Sequence, residues 1–348
     1  MVRIILTFRH NQKNVEYFLE VINLNIKIET SDQTDNSIKS KFNKRTKSKS
    51  INDVNRNGYF FIFPFLFVFT IFSIYPILRT LYLSFTNFNG FGTINFVGLN
   101  NYSRIFQDNL FWKALINTVR IWGVNIVCQL GLAFILTIIF SDIKYKMKGL
   151  GIFRALFYLP NLIAATSVAF LFRTLLEWQF GSLNQILMQF GLIKSNVDWL
   201  GQPGTATICV AIIGAWMWFG NSFIVLMAGV QGISKDYFEA ATIDGAGRWT
   251  VFGKITLPLL KPILLYVAIT SLIGGLQIFD IPFLITDGLG KPAGALNTSV
   301  MYLYNTAFKY NNVGYAAAIA YVLFFIIAIC SAVTFKSMYG STKNKEVK

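Results

Sequence analysis

Side chains able to make or break bonds are scarce in this 348-residue chain, and they are spaced wrongly for catalysis. The one histidine, His10, sits in a polar N-terminal stretch, so no Ser/His/Asp or Cys/His site can be assembled among the apolar segments that follow. Cys128, Cys209 and Cys330 each fall in an apolar run, far apart and without metal-ligand spacing. They read as small hydrophobes facing core or lipid, and imply neither a disulfide framework nor a redox compartment. Gly290-Lys291-Pro292 has the Gly-Lys step of a phosphate loop but lacks its upstream glycine and its Ser/Thr, and is expected to be a turn. No enzyme activity, metal site or cofactor is expected of the chain.

The polar residues with an informative spacing are Glu239-Ala240-Ala241-Thr242-Ile243-Asp244-Gly245, followed by Ile255-Thr256-Leu257-Pro258. They lie between two long apolar segments, where their work would be mechanical. Ser234 can cap a short helix from Lys235, with Asp236 in the favoured first turn. Gly245 and Gly247 supply a break after it, Gly245 with positive φ. A second short helix then places Trp249, Phe252 and Ile255 on one face; Pro258 stops or bends it, and Pro262 starts the next element. The spacing predicts a helix-turn-helix elbow tied at both ends to membrane-spanning helices, able to pass a push from a soluble partner into a bilayer.

Composition says what the elbow is fixed to. With 54% hydrophobic and 14% charged residues, the chain belongs with polytopic membrane proteins rather than soluble domains. The segments 59–78, 115–140, 152–172, 206–227, 263–279 and 315–335 are the expected spans, since about 20 residues rising roughly 1.5 Å each cover a hydrocarbon core of about 30 Å. Pro64 and Pro160 fall inside spans, where neighbouring helices must satisfy the freed carbonyls. A net charge of +15 on a soluble protein would suggest nucleic acid; here the basic residues sit in tails and short loops as topology signals, and no nucleic-acid partner is expected.

One set of loops carries Lys144, Lys146, Lys148 and Arg154, then Lys235, Arg248, Lys254 and Lys261, then Lys336, Lys343, Lys345 and Lys348; the opposite set carries fewer. The richer side is cytoplasmic, which puts both termini and the elbow there and makes 81–112, 173–205 and 281–314 external loops. Residues 1–58 are expected to be a disordered basic cytoplasmic tail drawn to anionic lipid, either an extension or a start placed too far upstream. Residues 339–348 are expected to be a short cytoplasmic tail.

The elbow resembles the EAA loop of permease subunits from binding-protein-dependent ABC importers. That pattern reads Glu-Ala-Ala, three residues, Gly, nine residues, Ile, one residue, Leu-Pro. Glu239, Ala240, Ala241, Gly245, Ile255, Leu257 and Pro258 fill every fixed position. At residue frequencies of about 5–10%, such a match arises by chance roughly once in 10⁸ start positions. The resemblance covers about residues 59–338. It implies an all-α polytopic fold of six transmembrane helices with a cytoplasmic coupling loop, the MetI-like permease fold, in the cell membrane. It also implies that Glu239, Ala240, Ala241, Asp244, Gly245, Ile255, Leu257 and Pro258 couple the chain to an ATPase, so that ATP is used by a partner subunit. The implied partners are a second permease subunit in a heterodimer, two ATP-binding cassette ATPase subunits, an extracytoplasmic solute-binding protein and membrane lipid.

Further stretches are similar to the sugar-importing branch, and to its larger maltose-type permease: Ser84-Phe85-Thr86 with Val97-Gly98-Leu99-Asn100-Asn101-Tyr102, Phe157-Tyr158-Leu159-Pro160, Phe180-Gly181-Ser182-Leu183-Asn184, and Phe279-Asp280 with Leu284-Ile285-Thr286-Asp287-Gly288. The implied substrate is a disaccharide or oligosaccharide. Counting back from Glu239, the maltose-type sugar-lining positions fall on Gly214, Met217, Trp218 and Asn221; counting on from Lys261-Pro262, they fall on Thr270, Ile273, Gly274 and Gln277. Most of these identities differ from the maltose transporter, which implies a different sugar. Two alternatives stand beside this reading: the same machinery for another solute such as glycerol phosphate, and a secondary transporter, which would need acidic coupling groups at mid-span.

Overall fold

The computed structural model describes residues 51–140 and 149–343, with side chains for 58–140 and 149–338. The expectations for 1–50, for Lys144, Lys146 and Lys148, and for Lys345 and Lys348 lie outside the described residues. The chain divides into two units, 1–75 and 76–348. In the first, α1 (Ile51–Phe69) passes into a π-helical turn, Thr70–Ile74. Helix α1 starts at Ile51, seven residues before position 58. Once the apolar run beyond it is helical, each added residue gains a backbone bond, and no proline stops the helix from extending backwards.

Helix α2 (Tyr75–Ser84) starts at the last residue of the first unit, and the second unit continues with α3 (Asn100–Gln107), α4 (Asn109–Phe140), α5 (Leu150–Leu162), α6 (Ala165–Leu175), α7 (Ser182–Gln189) and α8 (Pro203–Gln231). It continues with α9 (Lys235–Ile243), α10 (Arg248–Val251), α11 (Leu257–Leu259), α12 (Lys261–Leu276), α13 (Asp280–Ile285), α14 (Ser299–Tyr304) and α15 (Val313–Lys343). Among the described residues no strand forms, and the fold is all-α. Local chemistry sets the starts. Asp108 Oδ1 accepts from the N–H groups of Leu110 and Phe111 at 3.0 and 3.2 Å and caps α4. Pro203 opens α8, where its missing N–H costs nothing. Thr298 caps α14 through Met301 N–H. Helix α15 runs on to Lys343.

Five stretches are long and apolar enough to cross a membrane: Gly58–Ser84, Asn109–Phe140, Pro203–Gln231, Lys261–Ile285 and Val313–Met338. The expected third span, 152–172, is not one straight helix but the pair α5 and α6, bent by 87°. Pro160 removes one backbone donor inside α5, and Ile163 and Ala164 then turn extended, at ψ 135° each. Helices α5 and α8 meet closely because Gly220 has no side chain: a Cβ there would overlap the Phe157 carbonyl. Gly275 of α12 admits the Trp122 ring of α4 in the same way.

The buried apolar residues form separate layers along these helices. One gathers Ile121, Val168, Val210, Ile213 and Ile285 from α4, α6, α8 and α13. Another gathers Phe223, Leu226, Met227 and Val230 from the end of α8 with Leu260 and with Phe238 of α9. That second layer joins the elbow to the spans.

Candidate functional site

The elbow is built from its caps outward. Ser234 Oγ accepts the Asp236 N–H at 3.4 Å and donates to Asp236 Oδ2 at 3.1 Å, fixing the start of α9. At the other end Gly245 has φ +71°. Its N–H bonds the Thr242 carbonyl at 3.1 Å, and Ala246 N–H bonds that of Ala241 at 2.9 Å. This paired closure requires a left-handed residue, and glycine adopts that conformation without cost.

After α10, a π-helical turn over Phe252–Thr256 precedes Pro258, with Leu257 N–H reaching the Phe252 carbonyl. Pro258 therefore lies within the helical segment and does not stop it. The widened turn gives room to the carbonyl its ring would strike, and the helix breaks only at Leu260. The extra residue in that turn shifts Ile255 off the face expected to hold Trp249, Phe252 and Ile255 together. Phe252 packs on Phe134 with centroids 6.1 Å apart, Ile255 lines a cleft against α9, and Trp249 is exposed.

Of the expected coupling residues, Glu239, Ala240, Asp244, Gly245, Leu257 and Pro258 are exposed, Ile255 is half-buried and Ala241 is buried. Ala240, Ala241, Asp244 and Ile255 border one cleft of about 450 Å³ between α9 and the π turn. Behind this surface Phe238 is 7% exposed, seated among the α8 side chains and Leu260. Gly229 lets Leu260 and Ile263 close over the same point.

A cavity of about 300 Å³ lies higher, between α4, α8 and α12, with the starts of α6 and α13. Gly214, Met217, Trp218 and Asn221 border it from the middle of α8, Thr270 and Gly274 from α12, and Gln277 from the residue that ends α12. Ile273 does not; it is a residue before Gly274, about 100° around the helix, and its side chain leaves the cavity. Two of the bordering residues are already engaged. Gly214 makes room for the Asn125 side chain, and the Thr270 hydroxyl donates to the Tyr266 carbonyl at 2.8 Å. Trp218 remains 49% exposed.

The third wall belongs to α4, and sequence reasoning missed it. Trp122, Asn125 and Gln129 project from the middle of that helix. Asn125 Nδ2 donates to the Ala211 carbonyl at 3.1 Å, and Gln129 Nε2 to Ser222 Oγ at 2.7 Å. Their signal was the stripe Thr118, Asn125, Gln129, polar positions recurring on one face of an otherwise apolar helix.

Toward the other end of α4, Asp108 ties three elements together. Tyr302 and Tyr315 hydroxyls both donate to its Oδ2 at 2.6 Å, and Arg104 lies over the Tyr315 ring at 4.2 Å. Burial pushes the Asp108 carboxyl up, but the bonds from Tyr302, Tyr315, Phe111 and Leu110 outweigh it and hold the group below its ordinary value. Burial, then Asp108 itself, pushes the Tyr302 phenol up.

Among known proteins, residues 130–337 match the family described as binding-protein-dependent transport system inner membrane component. The lactose transport system permease protein LacF of Rhizobium radiobacter is 35% identical over 86% of this chain and 98% of its own length. The arabinooligosaccharides transport system permease protein AraP of Bacillus subtilis is 31% identical over 82% and 90%. The trehalose/maltose transport system permease protein MalF of Thermococcus litoralis is 35% identical over 74% and 84%. Among solved structures, a chain of a bacterial ABC transporter involved in the import of the acidic polysaccharide alginate superposes with a TM-score of 0.72, at 22% identity over 83% of this chain and 97% of that one, and shares the fold. A multi-pass membrane fold, an elbow at the end of two spans and this agreement over nearly whole chains lead to one assignment: the chain belongs to the family of binding-protein-dependent transport system inner membrane components.

Proposed function

We propose that this chain forms half of the pore of a sugar importer, and that its central cavity is a station on the path of a disaccharide or oligosaccharide. The observation that carries the reading is the position of the cavity: it lies between α8 and α12, the two spans that the elbow joins. Its lining suits a saccharide, with the Trp218 ring for the apolar face of a sugar and the amides of Asn221 and Gln277 for its hydroxyls. Relatives named for lactose, arabinooligosaccharides and trehalose/maltose support the same substrate class.

A solute-binding protein delivers the sugar outside, a second and different permease completes the pore, and two ATPase subunits dock on the elbows. Glu239, Ala240, Asp244 and Gly245 present the docking surface. ATP is hydrolysed by those partners and not by this chain. Both termini face the cytoplasm, the side of the more basic loops.

The test is uptake of labelled disaccharides into proteoliposomes holding the complete complex. Trp218→Ala is expected to raise the KM for sugar about tenfold, a loss of about 1.4 kcal/mol, while ATPase subunits still bind. Uptake of no sugar, or unchanged KM in both Trp218→Ala and Asn221→Ala, overturns the reading. A periplasm-only reporter fused after Lys348 should be silent; activity there overturns the orientation.

A further inference from the structure

The charge of the cavity narrows the substrate class. Among the described residues Asp280 is the one carboxylate that borders it, and no Lys, Arg or His does. Asp280 opens α13, just after the break that ends α12, and its side chain is exposed to the cavity mouth rather than packed. The rest of the cavity lining is neutral, including the amides of Gln277, Asn221 and Asn125 and the Tyr266 and Trp218 rings.

An anionic ligand seated against this wall sheds hydration and finds no counter-charge on this chain, and a desolvated charge without a partner is costly. A wall built for uronate, sulfonate or phosphate groups would carry arginine or lysine. On this chain's wall the only fixed charge among the described residues has the same sign as the anion, and at contact distance that repulsion persists through partial screening by water. A neutral saccharide needs nothing the cavity lacks, since amides and hydroxyls pair with its hydroxyls and aromatic faces cover its C–H surface.

We propose that this cavity takes uncharged saccharide units and turns away anionic ones, with Asp280 as the residue that discriminates. The proposal rests on the sugar reading above.

The test uses the complete complex in nanodiscs without the solute-binding protein, so that the binding protein's own preference does not enter. Equilibrium binding is measured for lactose, maltose and trehalose, each beside the same disaccharide oxidised to the uronic acid at C6 of the non-reducing ring. The wild-type complex should bind the best neutral sugar at least tenfold tighter than its uronate. Asp280→Asn should narrow that ratio to threefold or less, and Asp280→Glu should keep it. A uronate bound within threefold of its neutral partner by wild type overturns the proposal and leaves the sugar reading standing. An unchanged ratio in Asp280→Asn removes Asp280 from the discriminating role. Binding of none of the three neutral sugars overturns the sugar reading and this proposal with it. Should Asp280→Asn fail to assemble, Asp280→Ser tests the residue, and the wild-type ratio alone still decides the class.

Discussion

Substitution of Gly245 separates backbone conformation from bulk at the elbow. A Cβ built at this glycine meets nothing within 4 Å, so no neighbour in the chain resists it, and the cost comes from φ +71° alone. An L-residue held in the left-handed region loses about 1–2 kcal/mol. Gly245→Ala should therefore leave the native turn about 5–30-fold less populated. Gly245→Val should cost more, because a β-branched side chain is a severe outlier at positive φ. Gly245→Asn, close to valine in size, should stay near wild type, since asparagine tolerates this conformation. When the turn relaxes, the bonds from Ala246 and Gly245 to the Ala241 and Thr242 carbonyls are lost and α9 turns away from α10. The assay is the dissociation constant of the ATPase for permease complexes in nanodiscs, beside uptake per ATP hydrolysed in proteoliposomes. The order should be glycine and asparagine together, then alanine, then valine. Asparagine as damaging as valine would refute the conformational argument and point to side-chain bulk; alanine equal to glycine would refute it as well.

Other substitutions test the supports of the site. Gly220→Ala should force α5 and α8 apart at the Phe157 carbonyl, costing about 1–3 kcal/mol as overpacking does; an unchanged thermal midpoint in detergent would contradict the close contact. The depressed Asp108 carboxyl stabilises the fold above its ordinary value near 3.8, and this stabilisation is lost as pH falls through the lower folded value. Acid unfolding followed by tryptophan fluorescence should therefore lose a component in Asp108→Asn, and curves that superimpose would exclude the linkage. The Arg173–Asp287 ion pair at 3.0 Å is 51% and 65% exposed, so Arg173→Ala should shift stability by less than about 1 kcal/mol. A larger loss would mean that the pair is shielded in the assembled transporter.

Much of the elbow was legible because its signals are local. Ser234, Gly245 and Pro262 each act on backbone groups within a turn of themselves, and the structure places each where its chemistry predicts. The π turn before Pro258 was not legible, since a proline can be accommodated by a kink, a break or a widened turn, and packing chooses among them. Hydropathy located the spans but could not tell a straight 152–172 helix from α5 and α6, because bending leaves the average unchanged. Of the eight positions counted from the motif, seven border one cavity and Ile273 does not, its neighbour Gly274 facing inward instead. The α4 wall was hidden for a different reason: Asn125 and Gln129 find their partners, Ala211 and Ser222, on a helix far along the chain.

The seat of Phe238 has a mechanical consequence. Because this ring is locked among Phe223, Leu226, Met227, Val230 and Leu260, α9 cannot slide over the spans, and a load on the elbow must swing them as levers. Asn221 and Val230 share α8 and lie about 14 Å apart along its axis, so a swing of about 10° pivoting near Val230 carries Asn221 through roughly 2 Å. No relay of side chains is required, since the cavity wall is the lever itself. A solute wedged between α8 and α12 loads the same two arms from the opposite end. On the proposed function, its occupancy and the stroke at the elbow would be conjugate quantities: whatever free energy the solute adds to one tilt, a motor docked at the elbow would have to meet in full.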